Sequence, residues 1–256
     1  MAPTCTAIAF VTKPGCGKGR VSQRIDLRAF CDHNPPMVTL PRTAGEIGSA
    51  TGSAHEQVYR SLRSRIMHGE IDPGEALTLR GIGKEFGVSM TPARESVRRL
   101  AAEGALTMSS SGRITAPDLS ADRIEELAAL RALLEPELAA RALPRAHLAL
   151  IDRLRAINAR VSEFVAKQDA VGYLRTNLEF HRTLYLRAQA PAMLAMVETV
   201  WLQLGPTMRA LYARRNRTDL QKHHRMILAA LAAGDEPALR LAVRTDVTQG
   251  LKMLVA

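Results

Sequence analysis

Four polar residues in the C-terminal half lie on otherwise apolar helix faces: Asn177, His181, His224 and Asp246. Asn177 and His181 are one helical turn apart, so both side chains would share one face. Burying such groups is costly unless they bond to one another or to a common ion. An amide oxygen, two imidazoles and a carboxylate suit a divalent cation such as Zn, Ni or Mn. The residues therefore predict either a metal site or a hydrogen-bonded core cluster of ordinary histidines.

A second group of side chains could contact an anionic polymer. From Thr91 to Glu103 the apolar residues recur at helical spacing, and Arg94 and Arg98 lie off the apolar face. The chain carries 35 Lys and Arg against 25 Asp and Glu, a formal charge of +10, which favours a nucleic-acid partner. Only six of the basic residues are Lys, so a genome rich in Arg codons would give the same balance.

The elements that must position these arginines begin at Ala54. A first helix is predicted there from one apolar face, and Asp72-Pro73-Gly74 ends it. This face consists of Val58, Leu62, Ile66 and Met67. The segment 77–86 then predicts a short strand and a short helix, and a tight turn at Gly87-Val88-Ser89 follows.

The next helix is predicted with Thr91 as its N-cap and Pro92 at its first position, ending near Glu103. A small hairpin follows, with strands at 106–108 and 113–115. A supporting helix, a second helix with outward arginines and a hairpin together predict a winged helix-turn-helix, whose second helix fits the major groove of DNA.

The C-terminal half shows helical stripes and no alternation typical of strands. Six helices are predicted, each bounded by Pro, Gly, Asp or Thr. They span 119–143, 144–165, 169–188, 191–216, 218–233 and 235–254. Helices of this number and length predict an all-α bundle, so the fold class is mainly α.

Three domains are predicted: an extension at 1–53 that is rich in Gly, Pro, Thr and Ser and is expected to be disordered, a DNA-binding domain at 54–118, and a helical domain at 119–256. All three cysteines lie within the first 31 residues, which argues against a disulfide-stapled secreted fold and favours a cytoplasmic protein. No apolar stretch predicts a membrane span or a signal peptide.

The N-terminal part of this pattern resembles the DNA-binding domain of GntR-family transcriptional regulators. The matching runs are Ile71-Asp72-Pro73-Gly74, the stretch 86–100 with the pattern FGVS-x-TP-x-RE-x-x-x-RL, and Glu103-Gly104-Ala105-Leu106. The run Arg131-Ala132-Leu133-Leu134-Glu135-Pro136, followed by Ala139-Ala140, resembles the opening helix of the FCD domain of the FadR subfamily. Together the resemblance covers about residues 54–256.

The resemblance to the GntR family implies a set of DNA contacts. Arg94 is the candidate for reading a base, because a guanidinium can donate two hydrogen bonds to guanine. Arg98 and Arg99 are expected to meet phosphate or solvent, and Met90 stands where the family often has Arg. The implied DNA-binding residues are Arg80, Ser89, Thr91, Arg94, Arg98, Gly112 and Arg113.

The resemblance to the FCD domain implies a metal site built from Asn177, His181, His224 and Asp246. Asp246 occupies a position where the family has a third His, and His223 could support the ligands from outside. Arg131 matches a position that faces the effector cavity, where a guanidinium beside a cation would bind a carboxylate. The competing interpretation is a solvated Arg131 or an ion pair with a nearby Glu.

The predicted function is that of a homodimeric, ligand-responsive transcriptional repressor with no enzymatic activity. It would bind double-stranded DNA at a short palindromic operator and sense a small organic acid, with a bound divalent metal as cofactor. One alternative is a regulator that senses an apolar or acyl ligand without metal. Another is a metal-dependent helical enzyme with a DNA-binding tether, although the region lacks a nucleophile paired with a base.

Overall fold

A computed structural model describes residues 53–214 and 222–255, so the predicted extension at 1–53 lies outside the described residues except for Ser53. Within the described part, nine α-helices and three short strands form. The first helices are α1 (Ala54–Met67), α2 (Leu79–Phe86) and α3 (Met90–Ala102), and the strands are β1 (Ala76–Leu77), β2 (Thr107–Met108) and β3 (Ile114–Thr115). The remaining helices are α4 (Ala121–Ala142), α5 (Leu148–Lys167), α6 (Ala170–Tyr185), α7 (Pro191–Arg214), α8 (Lys222–Ala233) and α9 (Glu236–Val255).

Helices α1 to α3 and the three strands build a winged helix-turn-helix, as predicted. The strands pair antiparallel in the order β1-β3-β2, with Leu77 opposite Ile114 and Met108 also opposite Ile114. The sequence predicted the β2–β3 hairpin and a short strand near Leu77, and the structure adds the pairing between β1 and β3. The wing is thereby tied to the segment between α1 and α2.

Helix α3 begins earlier than predicted. Ser89, not Thr91, is the N-cap residue, and its side chain makes no capping hydrogen bond. Met90 is the first helical residue, so Pro92 lies third in the helix. The first four N–H groups of a helix have no partner within it, so a proline is tolerated throughout the first turn. The prediction of Thr91 as the N-cap was wrong for this reason.

The winged-helix core and the helical core are separate apolar clusters. The first contains Leu62, Ile66, Val97 and Leu100, all fully buried. The second is lined by residues of α4 to α9, among them Leu154, Phe180, Ile227 and Val243. Leu202 of α7 belongs to the winged-helix cluster, and Met67 of α1 packs against both clusters. The two parts thus pack together as one compact unit.

The all-α bundle predicted for the C-terminal half is confirmed. Two short 3-10 turns, Leu143–Arg145 and Leu186–Ala188, extend α4 and α6. Asp169 caps α6 by accepting a hydrogen bond from the N–H of Gly172. Within residues 53–214 and 222–255, no helix is long and apolar enough to cross a lipid bilayer.

Candidate functional site

The exposed face of the winged helix carries the predicted DNA-contact residues. Arg80 on α2, Arg94 and Arg98 on α3, and Arg113 beside the wing turn are all exposed, as are Ser89, Met90, Thr91 and Gly112. Among the described residues, these four arginines take part in no ion pair, whereas Arg60, Arg65 and Arg99 pair with carboxylates. Positive charge without intramolecular compensation at these positions suits contact with a phosphodiester backbone.

Arg99 has a different role from the one expected. Its guanidinium binds Glu56 at 2.9 Å and lies over the ring of Tyr59, 3.6 Å from the ring centroid. Tyr59 in turn donates a hydrogen bond to Glu103 at 2.6 Å. Arg99 therefore fastens α3 to α1, while its side chain remains 52 % exposed to solvent.

The wing turn requires glycine at one position. Gly112 has φ +81°, a left-handed conformation that other residues adopt only with strain. Ser109 accepts the N–H of Gly112 on its carbonyl and the N–H of Arg113 on its hydroxyl. This turn holds Arg113 at the tip of the hairpin.

Three of the four predicted metal ligands converge in the core of the helical domain. Nε2 of His181 on α6 lies 3.0 Å from Oδ2 of Asp246 on α9 and 3.4 Å from Nε2 of His224 on α8. Both histidines are fully buried, and one ligand atom from each of the three residues lies within 4.8 Å of the others. Ligand atoms held by one Zn²⁺ at ~2.0–2.1 Å are separated by roughly 2.9–3.4 Å, so these separations fit a single divalent ion.

Hydrogen bonds on the far side of each ring assign the tautomers. Tyr185 donates its hydroxyl hydrogen to Glu135 at 2.9 Å, and can therefore only accept from Nδ1 of His181, 3.2 Å away. Burial and the Glu135 charge hold the pKa of Tyr185 well above its ordinary value, which keeps that hydrogen in place. Nδ1 of His224 donates to the amide oxygen of Asn158 at 2.9 Å.

In the neutral form of each ring, Nε2 would present a lone pair toward the other ring and toward the Asp246 carboxylate. Nε2 of His181, 3.0 Å from Oδ2 of Asp246, can meet that carboxylate through a proton or through a shared cation. Neutral imidazoles oriented by a hydrogen bond at the opposite nitrogen are also the usual form of metal-binding histidine. Phe180 stacks on the His224 ring with centroids 3.9 Å apart and fixes its plane. The donor set therefore fits a divalent cation.

Asn177 and His223 are the two other residues that the sequence predicted for this site. Asn177 is half-buried one turn before His181 on α6. His223 is 4 % exposed, and its Nδ1 lies 3.9 Å from Oδ1 of Asp246 with no hydrogen-bond partner among the described residues. An orphaned buried nitrogen beside the Asp246 carboxylate is consistent with the supporting position predicted for His223.

Arg131 is engaged by a carboxylate of its own helix. Its Nε donates to Glu135 at 2.5 Å, and Glu135 also accepts hydrogen bonds from Trp201 at 3.0 Å and Tyr185 at 2.9 Å. Burial disfavours the charged guanidinium, but the Glu135 charge outweighs this and raises the pKa of Arg131. The ion pair, one of the interpretations left open by the sequence, is the arrangement in the structure.

The sequence pattern missed Asn158, Glu135, Tyr185 and Trp201 as members of this site. Each lies at an apolar-facing position of its helix, but none has the spacing of a motif. With them, all six helices α4 to α9 contribute a side chain to one buried polar network. A buried Glu four residues after Arg131 was the one sequence signal that could have indicated the ion pair.

Comparison with known protein families identifies both parts of the chain. The profile of the FCD domain matches residues 126–249, and that of the bacterial regulatory proteins of the gntR family matches residues 54–115. The HTH-type transcriptional regulator McbR of Escherichia coli (strain K12) is 28 % identical over 203 residues, which cover 77 % of this chain and 91 % of McbR. The gluconate operon transcriptional repressor of Bacillus subtilis (strain 168) is 27 % identical over 168 residues, 66 % of this chain and 67 % of that protein.

Solved structures give the same fold. The structure of E. coli McbR/YncC superposes with a TM-score of 0.73 at 26 % identity, covering 80 % of this chain and 98 % of that one. A putative GntR regulator from Rhodococcus sp. RHA1 superposes with a TM-score of 0.67 at 20 % identity, again over 80 % and 98 % of the two chains, and this similarity concerns the fold alone.

Proposed function

Because the chain belongs to the GntR family of transcriptional regulators and carries an FCD domain, we propose that it is a repressor whose operator binding responds to a divalent metal and a small organic acid. The family profiles and the relatives are those of regulators, so the protein is a regulator and not an enzyme. Repression, metal binding and the acid effector are the proposed refinements of that assignment.

One observation carries the metal part of the proposal. The ligand atoms of His181, His224 and Asp246 converge in the buried core, with Nε2 of His181 lying 3.0 Å from Oδ2 of Asp246 and 3.4 Å from Nε2 of His224. A divalent ion there would be held by these residues, with Asn177 as the fourth candidate, and would join α6, α8 and α9. Bound there, it would supply a positive charge for an effector carboxylate.

The ion pair between Arg131 and Glu135 limits how Arg131 could bind an effector. Glu135 already accepts hydrogen bonds from Arg131, Trp201 and Tyr185. An effector carboxylate would therefore have to bind Arg131 beside Glu135 or displace Glu135 from it. We therefore propose the metal as the primary recognition element for an organic acid and Arg131 as a secondary one.

The DNA-binding part of the proposal uses the exposed arginines. Arg94 would read a base edge in the major groove, Arg80 and Arg98 would contact phosphate, and Ser89 and Thr91 would position the start of α3. Gly112 and Arg113 would bring the wing to the backbone. A homodimer would place two such helices about one DNA turn apart, so the operator would be a short palindrome.

The decisive experiment measures metal content and operator response together. Protein purified without chelators and reloaded with Zn²⁺, Ni²⁺ or Mn²⁺ is expected to hold one ion per chain by elemental analysis. His181→Ala should lose the ion and the metal response, yet still bind the operator without metal, because every residue proposed to contact DNA lies in the winged helix. At about 100-fold its Kd, a ligand stabilises the folded state by ~2.7 kcal/mol, so the variant should also lose the thermal shift caused by metal.

Two further variants control this experiment. His55→Ala removes an exposed histidine of the winged helix and should leave metal content unchanged. Asp246→His replaces the carboxylate with an imidazole and should keep or tighten Zn²⁺ or Ni²⁺ binding. If the wild-type protein holds none of the three ions at stoichiometric level, the residues form a hydrogen-bonded core cluster and the metal proposal is wrong.

A further inference from the structure

Helix α7 touches both the buried polar network and the DNA-binding domain. Trp201, fully enclosed at 3 % exposure, donates its indole N–H to Glu135 in the helical domain. The next residue, Leu202, has no exposed surface and belongs to the apolar core of the winged helix. Adjacent residues of one helix thus lie in two different cores.

The next residue of α7, Gln203, contacts α3, the helix that is proposed to read DNA. Gln203 donates a side-chain N–H to the carbonyl of Glu103, the C-cap of α3, at 2.9 Å. Its amide oxygen accepts a hydrogen bond from Arg123 of α4 at 2.9 Å, which fixes the orientation of the amide. The C-terminal end of α3 is therefore held by a side chain of α7.

Two more residues of α7 restrict its position relative to the winged helix. Gly205 approaches the carbonyl of Ile66 at the end of α1 so closely that a Cβ atom would overlap it. Arg209, one turn further along α7, donates to the carbonyl of Gly69 at 3.2 Å and pairs with Asp72 at 3.3 Å. A shift of α7 must therefore move α1 and α3 with it, because packed backbones cannot absorb the change locally.

A chain of hydrogen bonds connects Trp201 of α7 to His181. Nδ1 of His181 donates to Tyr185, Tyr185 donates to Glu135, and Glu135 accepts from Trp201, with donor–acceptor distances of 3.2, 2.9 and 3.0 Å. All four residues are buried, so each bond fixes the next group in a medium of low dielectric constant. A change in the orientation of the His181 ring has a direct route to α7.

We propose that Trp201 is a positioning residue through which the polar network around His181 controls the seating of the recognition helix α3, with Leu202 and Gln203 as the attachment on the DNA-binding side. That a metal ion is the signal at His181 rests on the proposed function. The mechanical link between the network and α3 rests only on the contacts above.

Trp201 is the single tryptophan of the chain, so its fluorescence reports on this link alone. A duplex selected from a random pool by the wild-type protein is titrated into metal-free protein, and DNA occupancy is followed by anisotropy of a label on the duplex. Operator binding is expected to change the Trp201 emission. Gln203→Leu should bind the duplex but lose most of that change. Unchanged wild-type emission at saturating operator would overturn the proposal, whether or not the protein binds metal.

A second measurement tests whether metal binding near His181 changes operator affinity through Trp201. Wild-type operator affinity is expected to change on the order of 5- to 150-fold on saturation with Zn²⁺ or Mn²⁺, the usual range of coupling between two sites. Trp201→Phe keeps an aromatic ring but lacks the N–H. The ratio of its operator affinities with and without metal should therefore be at least several-fold smaller than in the wild type. Its Kd for the metal and its Kd for the operator without metal should both stay within about two-fold of the wild-type values. Thr199→Ala is the control on the same helix, because its hydroxyl donates a hydrogen bond within α7, to the carbonyl of Ala195.

The outcomes separate the two proposals. A wild-type protein that binds no metal but changes its Trp201 emission with operator refutes the metal response and retains the link through α7. A metal response of wild-type size in Trp201→Phe refutes the role of Trp201, even though the metal response itself stands. Loss of metal binding in Trp201→Phe would also count against it, because the variant would then act on the site and not on its connection to α3.

Discussion

Arg131 and Glu135 form an ion pair in which both side chains are almost completely removed from solvent, with exposures of 5 % and 0 %. The carboxylate is stabilised by three donors, and it is the main source of charge compensation for the guanidinium, with a smaller contribution from Asp246. Breaking a buried pair from one side leaves an uncompensated charge, which costs far more than the intact pair contributes.

Glu135→Gln should accordingly lower the free energy of unfolding by about 3–5 kcal/mol, the range for a buried pair broken at one partner. Urea denaturation measures this. Glu198→Gln is the matched control, because Glu198 pairs with Arg182 at 2.8 Å on the surface, where such pairs contribute ~0–1 kcal/mol. Equal destabilisation by the two substitutions would show that Glu135 does not compensate a buried charge.

The arginines of the DNA face should differ in what they contribute. Arg94→Ala is expected to cost about 1–3 kcal/mol of operator affinity and to relax base preference at one operator position, as for loss of a bidentate contact to guanine. Arg113→Ala should weaken binding to all sequences alike and reduce the salt dependence by about one charge. Selection from a random pool followed by salt titration distinguishes them. Identical selected sequences for wild type and Arg94→Ala would contradict the base-reading role.

At the scale of elements, α7 is the helix that contributes side chains to both the helical core and the winged-helix core. It contains Gly205 and Pro206 in its interior, two residues that ordinarily weaken a helix. The structure explains Gly205, because only a residue without Cβ allows α7 to approach the carbonyl of Ile66. A residue that is unfavourable for the helix alone is thus required by its packing.

Gly205→Ala should destabilise the protein despite the higher helix propensity of alanine. The new methyl group meets backbone, which cannot move aside, so we expect a loss on the order of 1–3 kcal/mol, as for overpacked cores. Ala195→Leu, at an exposed position of the same helix, adds more volume and should be tolerated. Denaturation of both variants measures the difference, and stabilisation by Gly205→Ala would rule out the close contact between α1 and α7.

At the scale of the whole molecule, four apolar clusters hold the described residues together, and their buried members extend from Val58 to Leu251. The sequence at 1–53 is rich in Gly, Pro, Thr and Ser, a composition that offers little apolar surface for a core. We therefore expect a chain that starts at Ala54 to keep the melting temperature and operator affinity of the full chain. Calorimetry and DNA titration of both proteins test this, and a lower melting temperature would assign the first residues a structural role.

Much of the architecture could be predicted from the sequence because it depends on local patterns. The apolar spacing along α4 to α9 gave six helices, and the runs around Arg94 gave the winged helix. The polar residues on apolar faces indicated where a buried site would form. The start of α3 was predicted two residues late, since Thr91 and Pro92 are equally acceptable within the first turn of a helix.

Sequence alone therefore determined the elements, their order and which residues had to be buried, since periodicity acts over three or four positions of the chain. Only the tertiary structure decided which buried groups meet. Glu135 pairs with Arg131, Asn158 orients His224 from 66 residues away, and Gln203 holds the end of α3 from a distance of 100 residues. These pairings follow from how whole helices pack against one another, and no local pattern in the chain encodes them.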